Sequence, residues 1–265
     1  MHIVVVGLSH RTAPVEVREK LSIPDQSITE SLKALKTFSD VLEVSILSTC
    51  NRLEIYALVK DKNTGISSIK EFLSEYSGII YEDLNPHLFC FRQEEAVLHL
   101  MKVSAGLDSL VLGEGQILSQ VKKMMRLGQE NQSTGPILNR LLTQSVSTGK
   151  KVRSETNLGT GAVSISSAAV ELAQLKIGQE KGFDTLVSLE SENVLVVGAG
   201  RMSRLLITHL KSKGCQKLIL LNRNIDRALN LAQDFPDLVI VCRGLNELEE
   251  NISLSSIVFT STASE

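Results

Sequence analysis

A chain of 265 residues, 43% hydrophobic and 22% charged, with 28 basic against 30 acidic side chains, carries a formal charge of −2. This composition excludes a disordered tail and any fibrous or collagen-like chain, and the length has room for about two domains. The longest apolar runs, such as residues 3–6 and 194–197, fall far below the roughly 20 residues that cross a bilayer, so no membrane span is expected.

Residues 1–9 read as a strand, with neither a basic leader nor a small-residue cleavage site, which makes the cytoplasm the expected compartment. The four cysteines, Cys50, Cys90, Cys215 and Cys242, are far apart and form no CxxC pair, a pattern of free thiols in a reducing compartment. None of the five histidines makes an HxxxH pair, so no metal is expected.

Taken in chain order, residues 2–9, 43–49 and 53–59 are strand-like, while 25–38 and 67–76 carry helical periodicity. With a further strand around 87–91, this is the order of a split βαβ sandwich. Helical patterning then dominates 94–106, 115–131, 136–155 and 163–177. Strands at 193–197, 217–221, 238–241 and 256–260 alternate with helices at 201–212, 225–234 and 245–249, the mark of a doubly wound parallel sheet. The expected fold class is therefore α/β, with the split βαβ sandwich and its helical layer in residues 1–156 and a Rossmann-type parallel sheet in 157–265. Residues 156–161 are the most loop-like stretch between them.

In the second half a strand runs straight into Gly198-Ala199-Gly200-Arg201-Met202-Ser203 and an amphipathic helix. Gly198 suits a tight turn, Gly200 lets backbone amides approach a pyrophosphate, and the helix start presents free N–H groups. Ser203 replaces the third glycine of the common pattern but is still small. The next strand ends at Asn222-Arg223 without the acid that would hold an NAD ribose; these two residues suit the 2′-phosphate of NADP. Alternatively, Arg223 simply ends a strand in solvent.

Between the second and third strands lies Ser48-Thr49-Cys50-Asn51-Arg52-Leu53-Glu54. A thiol at a loop with an arginine two residues away suits a nucleophile, but from this segment alone a small buried hydrophobe is the favoured reading. Together with residues 7–14 (GLSHRTAP), 112–118 (LGEGQIL) and 198–203 (GAGRMS), this segment resembles glutamyl-tRNA reductase. The resemblance runs along the whole chain with four motifs in order.

What the resemblance implies is NADPH-dependent reduction of glutamyl-tRNA(Glu) to glutamate-1-semialdehyde with release of tRNA, the first committed step of five-carbon tetrapyrrole (porphyrin) synthesis. By the family pattern Cys50 is the nucleophile that forms a thioester, and Thr49, Asn51 and Arg52 hold the glutamyl group. His99 matches the family's activity-linked histidine, although its place between Leu98 and Leu100 otherwise reads as a core position. Ser109, Glu114, Gly115, Gln116 and Gln120 fall on substrate-pocket positions; for Ser109 and Gln120 the alternative is ordinary loop and helix-start polarity. Gly198, Ala199, Gly200, Arg201, Met202, Ser203, Asn222 and Arg223 are the expected cofactor residues.

For the tRNA, Lys122, Lys123, Arg126, Arg140, Lys150, Lys151 and Arg153 are met by a single acid, Glu130, in that interval. Such a helical layer suits either phosphate contact or a solvated face. Glutamate-1-semialdehyde aminomutase is the partner expected to take the product. Family members continue into a long helix and a C-terminal domain that makes a homodimer, so the nucleotide sheet is expected to be incomplete here and the dimerisation domain absent. Two other readings remain: a tRNA- or NADPH-binding module without turnover, and a small-molecule dehydrogenase of the shikimate dehydrogenase kind, which leaves the Cys50 motif without a use.

Overall fold

The first strand, β1 (His2–Ser9), buries Val4, Val6 and Leu8 in one core and Val5 in another. Side chains alternate along a strand, so both faces of its sheet must be covered. In the computed structural model, which describes residues 1–159 and 164–262, the covers are helices. On one face lie α1 (Val15–Leu21) and α2 (Ile28–Thr37), which precede β2 (Val41–Ser48) and β3 (Arg52–Val59), and then α3 (Lys62–Ser77). A single turn, α4 (Tyr81–Leu84), leads to β4 (Phe89–Arg92). The other face is covered by α5 (Glu94–Ala105), α6 (Gln116–Glu130) and α7 (Pro136–Glu155) through Leu100, Val121, Leu138 and Leu142. Burying each such leucine contributes about 2 kcal/mol.

The four strands are antiparallel in the order β2-β3-β1-β4, the split βαβ arrangement. Neither α1 nor α4 was expected, because seven and four residues are too few to show a helical period. Helix α3 starts earlier than its periodicity suggests, since the Asp61 carboxylate accepts from the amides of Asn63 and Thr64 at 2.8 and 3.0 Å and caps it. His87 lies in a 3-10 turn rather than in the strand. A carboxylate also starts α7: Glu43, buried on β2, accepts from the Leu138 amide at 2.7 Å.

The chain divides into the units Met1–Val163 and Ser164–Glu265. Of the expected boundary loop, Asn157–Gly159 form a 3-10 turn, while residues 160 and 161 lie outside the described residues. In the second unit α8 (Ile165–Glu180) is followed by β5 (Val194–Val197), α9 (Arg201–Ser212), β6 (Lys217–Asn222), α10 (Ile225–Ala232), β7 (Val239–Gly244), α11 (Leu248–Ser253) and β8 (Ile257–Thr260). Its four strands are parallel in the order β7-β6-β5-β8. The helix expected at 245–249 begins as a 3-10 turn, Leu245–Glu247, before α11. Strand order reverses on either side of β5, and the crevice at the carboxyl ends of β5 and β8 is where such sheets bind ligands. Among the described residues no helix is long and apolar enough to cross a membrane.

Candidate active site

The turn joining β2 to β3 is built by its own residues. Thr49 Oγ1 accepts from the amides of Asn51 and Arg52, both at 3.1 Å, a local side-chain-to-backbone closure beside the backbone bond from the Thr49 amide to the Arg52 carbonyl at 2.9 Å. From the end of β1, the His10 amide donates to the Asn51 carbonyl at 2.9 Å. From α1, Arg18 Nη1 donates to the Cys50 carbonyl at 2.9 Å and to Asn51 Oδ1 at 3.3 Å. Cys50 is left exposed at the apex, the other three thiols being buried or half-buried and all four unpaired. The result is a solvent-accessible thiol on a turn tied to two neighbouring elements, with a cation on its own carbonyl.

Behind the turn lies a charged network inside the sheet. Tyr56 belongs to the core under α5–α7, and alternation along β3 puts Glu54 and Arg52 on that same face. Arg52 is only 3% exposed; its Nη1 donates to Glu54 Oε1 at 2.6 Å and to Asp108 Oδ2 at 3.0 Å, and its Nη2 to the Asp108 carbonyl at 2.6 Å. Glu54, fully buried, also accepts from Tyr56 Oη at 2.6 Å and pairs with His99 Nε2 at 3.0 Å. Burial pushes the Glu54 carboxyl up, but the hydrogen bond from His99 and the charge of Arg52 prevail and bring it to about 2. Removing one member of such a pair strands the other, at about 3–5 kcal/mol. The His99 ring sits against Phe89 and Phe91, with centroids at 5.1 and 5.0 Å. His10, by contrast, is shifted down by burial and by Arg52, so it favours the neutral ring.

The remaining expected pocket residues cluster on the loop after α5 and the start of α6. Ser109 and Glu114 are half-buried on that loop, where burial raises the Glu114 carboxyl. Gly115 lies under the Arg153 guanidinium, whose Nη1 donates to the Gly113 carbonyl at 2.5 Å. Gln116 and Gln120 fall one turn apart on α6 and so share a face. The same loop carries Asp108, 22% exposed, which also pairs with Arg11 at 3.2 Å.

Sequence reasoning gave no part to Arg18, Glu54 or Asp108. The signal for Glu54 was present, in polar residues at 52, 54 and 56 of an otherwise apolar strand. Asp108 was invisible, because its pairing spans 56 residues. Of the basic residues on α6 and α7, Lys123 pairs with Asp25, Arg126 with Glu130 and Lys151 with Glu155, and Arg153 holds the loop. Among the described residues no group of three or more His, Cys, Asp or Glu is placed to hold a metal.

In the second unit Gly198, Ala199 and Gly200 meet Asn222, Arg223 and Arg227 around a cavity of about 400 Å³. Gly198 has φ +111°, and a side chain there would lie 2.7 Å from the Ser261 carbonyl oxygen, so only glycine fits the turn. Above Gly200 there is open space within 4 Å. Ser203 is buried; its Oγ accepts from the Gly200 amide at 3.3 Å and shares a hydrogen bond with Ser261 at 2.7 Å. Arg201 and Met202 are exposed on the first turn of α9. Backbone at the start of α9 and the cations Arg223 and Arg227 line the cavity, a setting that fits a dinucleotide.

The family model described as "Glutamyl-tRNAGlu reductase, N-terminal domain" matches residues 6–156, and "Shikimate / quinate 5-dehydrogenase" matches 180–265. The chain is 98% identical over all its 265 residues to the glutamyl-tRNA reductase of Prochlorococcus marinus (strain AS9601), covering 61% of that protein. To that of Synechococcus sp. (strain CC9311) it is 68% identical over 263 residues, covering 60%. The solved glutamyl-tRNA reductase from Methanopyrus kandleri is similar at 32% identity with a TM-score of 0.59, over 99% of this chain and 59% of that one. The chain thus spans about three-fifths of the length of these relatives. With more than half its length matched by the family model and the turn, network and cavity arranged as described, the chain belongs to the glutamyl-tRNA reductase family.

Proposed function

We propose that the chain acts as a glutamyl-tRNA reductase, taking glutamyl-tRNA(Glu) to glutamate-1-semialdehyde with NADPH and releasing tRNA, at the entry to tetrapyrrole synthesis. The observation that carries this reading is Cys50, the exposed thiol, set at the apex of a hydrogen-bonded turn two residues from the arginine that leads through Glu54 to His99. The first unit is the acyl-transfer domain and the second the NADPH domain. A dehydrogenase of the shikimate kind accounts for the second unit but gives the Cys50 turn no task.

In this reading the Cys50 sulfur attacks the carbonyl carbon of the aminoacyl ester; a sulfur–carbon bond forms and the bond to the ribose oxygen breaks. His99 handles the proton, passing it from the thiol to the departing ribose oxygen. Arg52 meets the glutamyl side-chain carboxylate with the two nitrogens that now hold Asp108 Oδ2 and the Asp108 carbonyl oxygen, a planar pair of donors suited to a carboxylate. Thr49 and Asn51 shape the turn, and Ser109, Glu114, Gly115, Gln116 and Gln120 frame the substrate. Among the described residues Lys122, Arg140 and Lys150 are the cations of the helical layer outside its ion pairs and the Arg153 loop contact, and they face the tRNA phosphates.

Gly198, Ala199, Gly200, Arg201, Met202 and Ser203 hold the cofactor pyrophosphate at the start of α9, and Asn222 and Arg223 take the 2′-phosphate. NADPH, when bound, supplies the hydride that converts the thioester to the aldehyde. The product is a reactive amino aldehyde, which favours direct transfer to glutamate-1-semialdehyde aminomutase in the cytoplasm. The test is acid-quenched incubation with [14C]glutamyl-tRNA without NADPH. Label should remain on the protein, be released by hydroxylamine, and be missing from Cys50→Ser; equal labelling of that variant would refute the mechanism.

A further inference from the structure

Glu54 has no assigned part in the chemistry above, yet its setting is unusually determined. Its backbone lies opposite Gly7 in the β1–β3 pairing, and a side chain on Gly7 would come within 3.1 Å of Glu54 Cγ. Oε2 is engaged by Tyr56 and Oε1 by both Arg52 and His99. A buried charged cluster of this kind is often no more stabilising than apolar packing, so stability alone gives little reason for it in the middle of a core.

We infer that Glu54 is a positioning residue for His99: its Oε1, fixed by Arg52, accepts the Nε2–H of the imidazole, leaving Nδ1 as the nitrogen that takes and returns the proton of acyl transfer. An ionised carboxylate can only accept, so the ring nitrogen facing it must carry hydrogen. Phe89 and Phe91 from β4 fix the plane of the ring. The charged and titratable groups gathered about the pair are Arg52 and Tyr56 on β3 and Asp108 on the loop after α5. The proton moves from Cys50 Sγ to Nδ1 as the sulfur–carbon bond forms, and from Nδ1 to the ribose oxygen as the ester bond breaks. Glu54 keeps its charge throughout and offsets the transient imidazolium.

The inference rests on Cys50 being acylated by glutamyl-tRNA, and its test separates the two. Two-dimensional 1H–15N spectra of the unsubstituted chain at pH 8 should show His99 protonated at Nε2 and bare at Nδ1; the opposite tautomer overturns the inference without any variant. In single-turnover acylation, Glu54→Gln should slow Cys50 labelling roughly 10- to 100-fold, at or below the lower end of general acid–base effects because the imidazole itself remains, with little change in half-saturating glutamyl-tRNA. Glu54→Asp should recover part of the loss. If Glu54 works through His99, Glu54→Gln should cost nothing further in a His99→Asn background. A full, independent loss in that background overturns the claim that Glu54 acts through His99, while absence of any label on unsubstituted Cys50 overturns the proposed function itself.

Discussion

Gly7→Ala is the sharpest probe of the wall between β1 and β3. The added methyl would press on the Leu53 carbonyl oxygen, lie 2.9 Å from Glu54 Cα and 3.1 Å from Glu54 Cγ. Both strands are central in the order β2-β3-β1-β4, so neither can swing out at an edge. Gly7 is not among the positive-φ glycines, which means alanine has no dihedral penalty and gains about 0.4–1 kcal/mol by restricting the unfolded chain. Overpacking costs about 1–3 kcal/mol and wins, because the obstacles are backbone. The expected net loss of about 1–2 kcal/mol lowers the urea midpoint by roughly 0.5–1 M at a slope of about 2 kcal/mol per molar. The chain has no tryptophan, so far-UV circular dichroism is the suitable signal. A midpoint equal to or above that of the unsubstituted chain would refute the steric argument, and with it the claim that Gly7 makes room for Glu54.

Arg52→Lys, which cannot reproduce the contacts to Glu54 and both Asp108 acceptors, should destabilise the chain by about 1–3 kcal/mol. It should also slow acylation by glutamyl-tRNA while leaving NADPH affinity unchanged; equal loss of NADPH binding would place Arg52 in the wrong site. Arg223→Ser should weaken NADPH roughly 10-fold or more and leave NADH nearly unaffected, as loss of a single charge-assisted phosphate contact predicts, measured by titration calorimetry. The Glu54 carboxyl, ordinarily at 4.5, is held at about 2 in the folded chain by its hydrogen bond with His99 and the charge of Arg52. Its stabilisation is therefore complete above about pH 4.5 and is lost as pH drops toward 2. Urea midpoints across that window should fall less steeply in Glu54→Gln than in the unsubstituted chain.

The sequence by itself determined the layers and their order. Period-two apolar strands and amphipathic helices are local signals, and the sandwich followed by a parallel sheet was legible from them. So was the Gly198 turn, because a strand, two glycines and a helix lie within a dozen residues. The Thr49–Arg52 turn was legible as a motif for the same reason: its hydrogen bonds join residues two or three apart. Only the tertiary structure decided what surrounds those motifs. Helix α1 is too short to announce itself, yet it brings Arg18 to the Cys50 carbonyl. His99 looked like a core residue between two leucines, and its neighbour proves to be a carboxylate 45 residues away. Asp108 reaches Arg52 across 56 residues. No local period encodes such pairings, since a buried charge finds its partner only when the sheet and the helices over it close together and exclude the water that would otherwise serve.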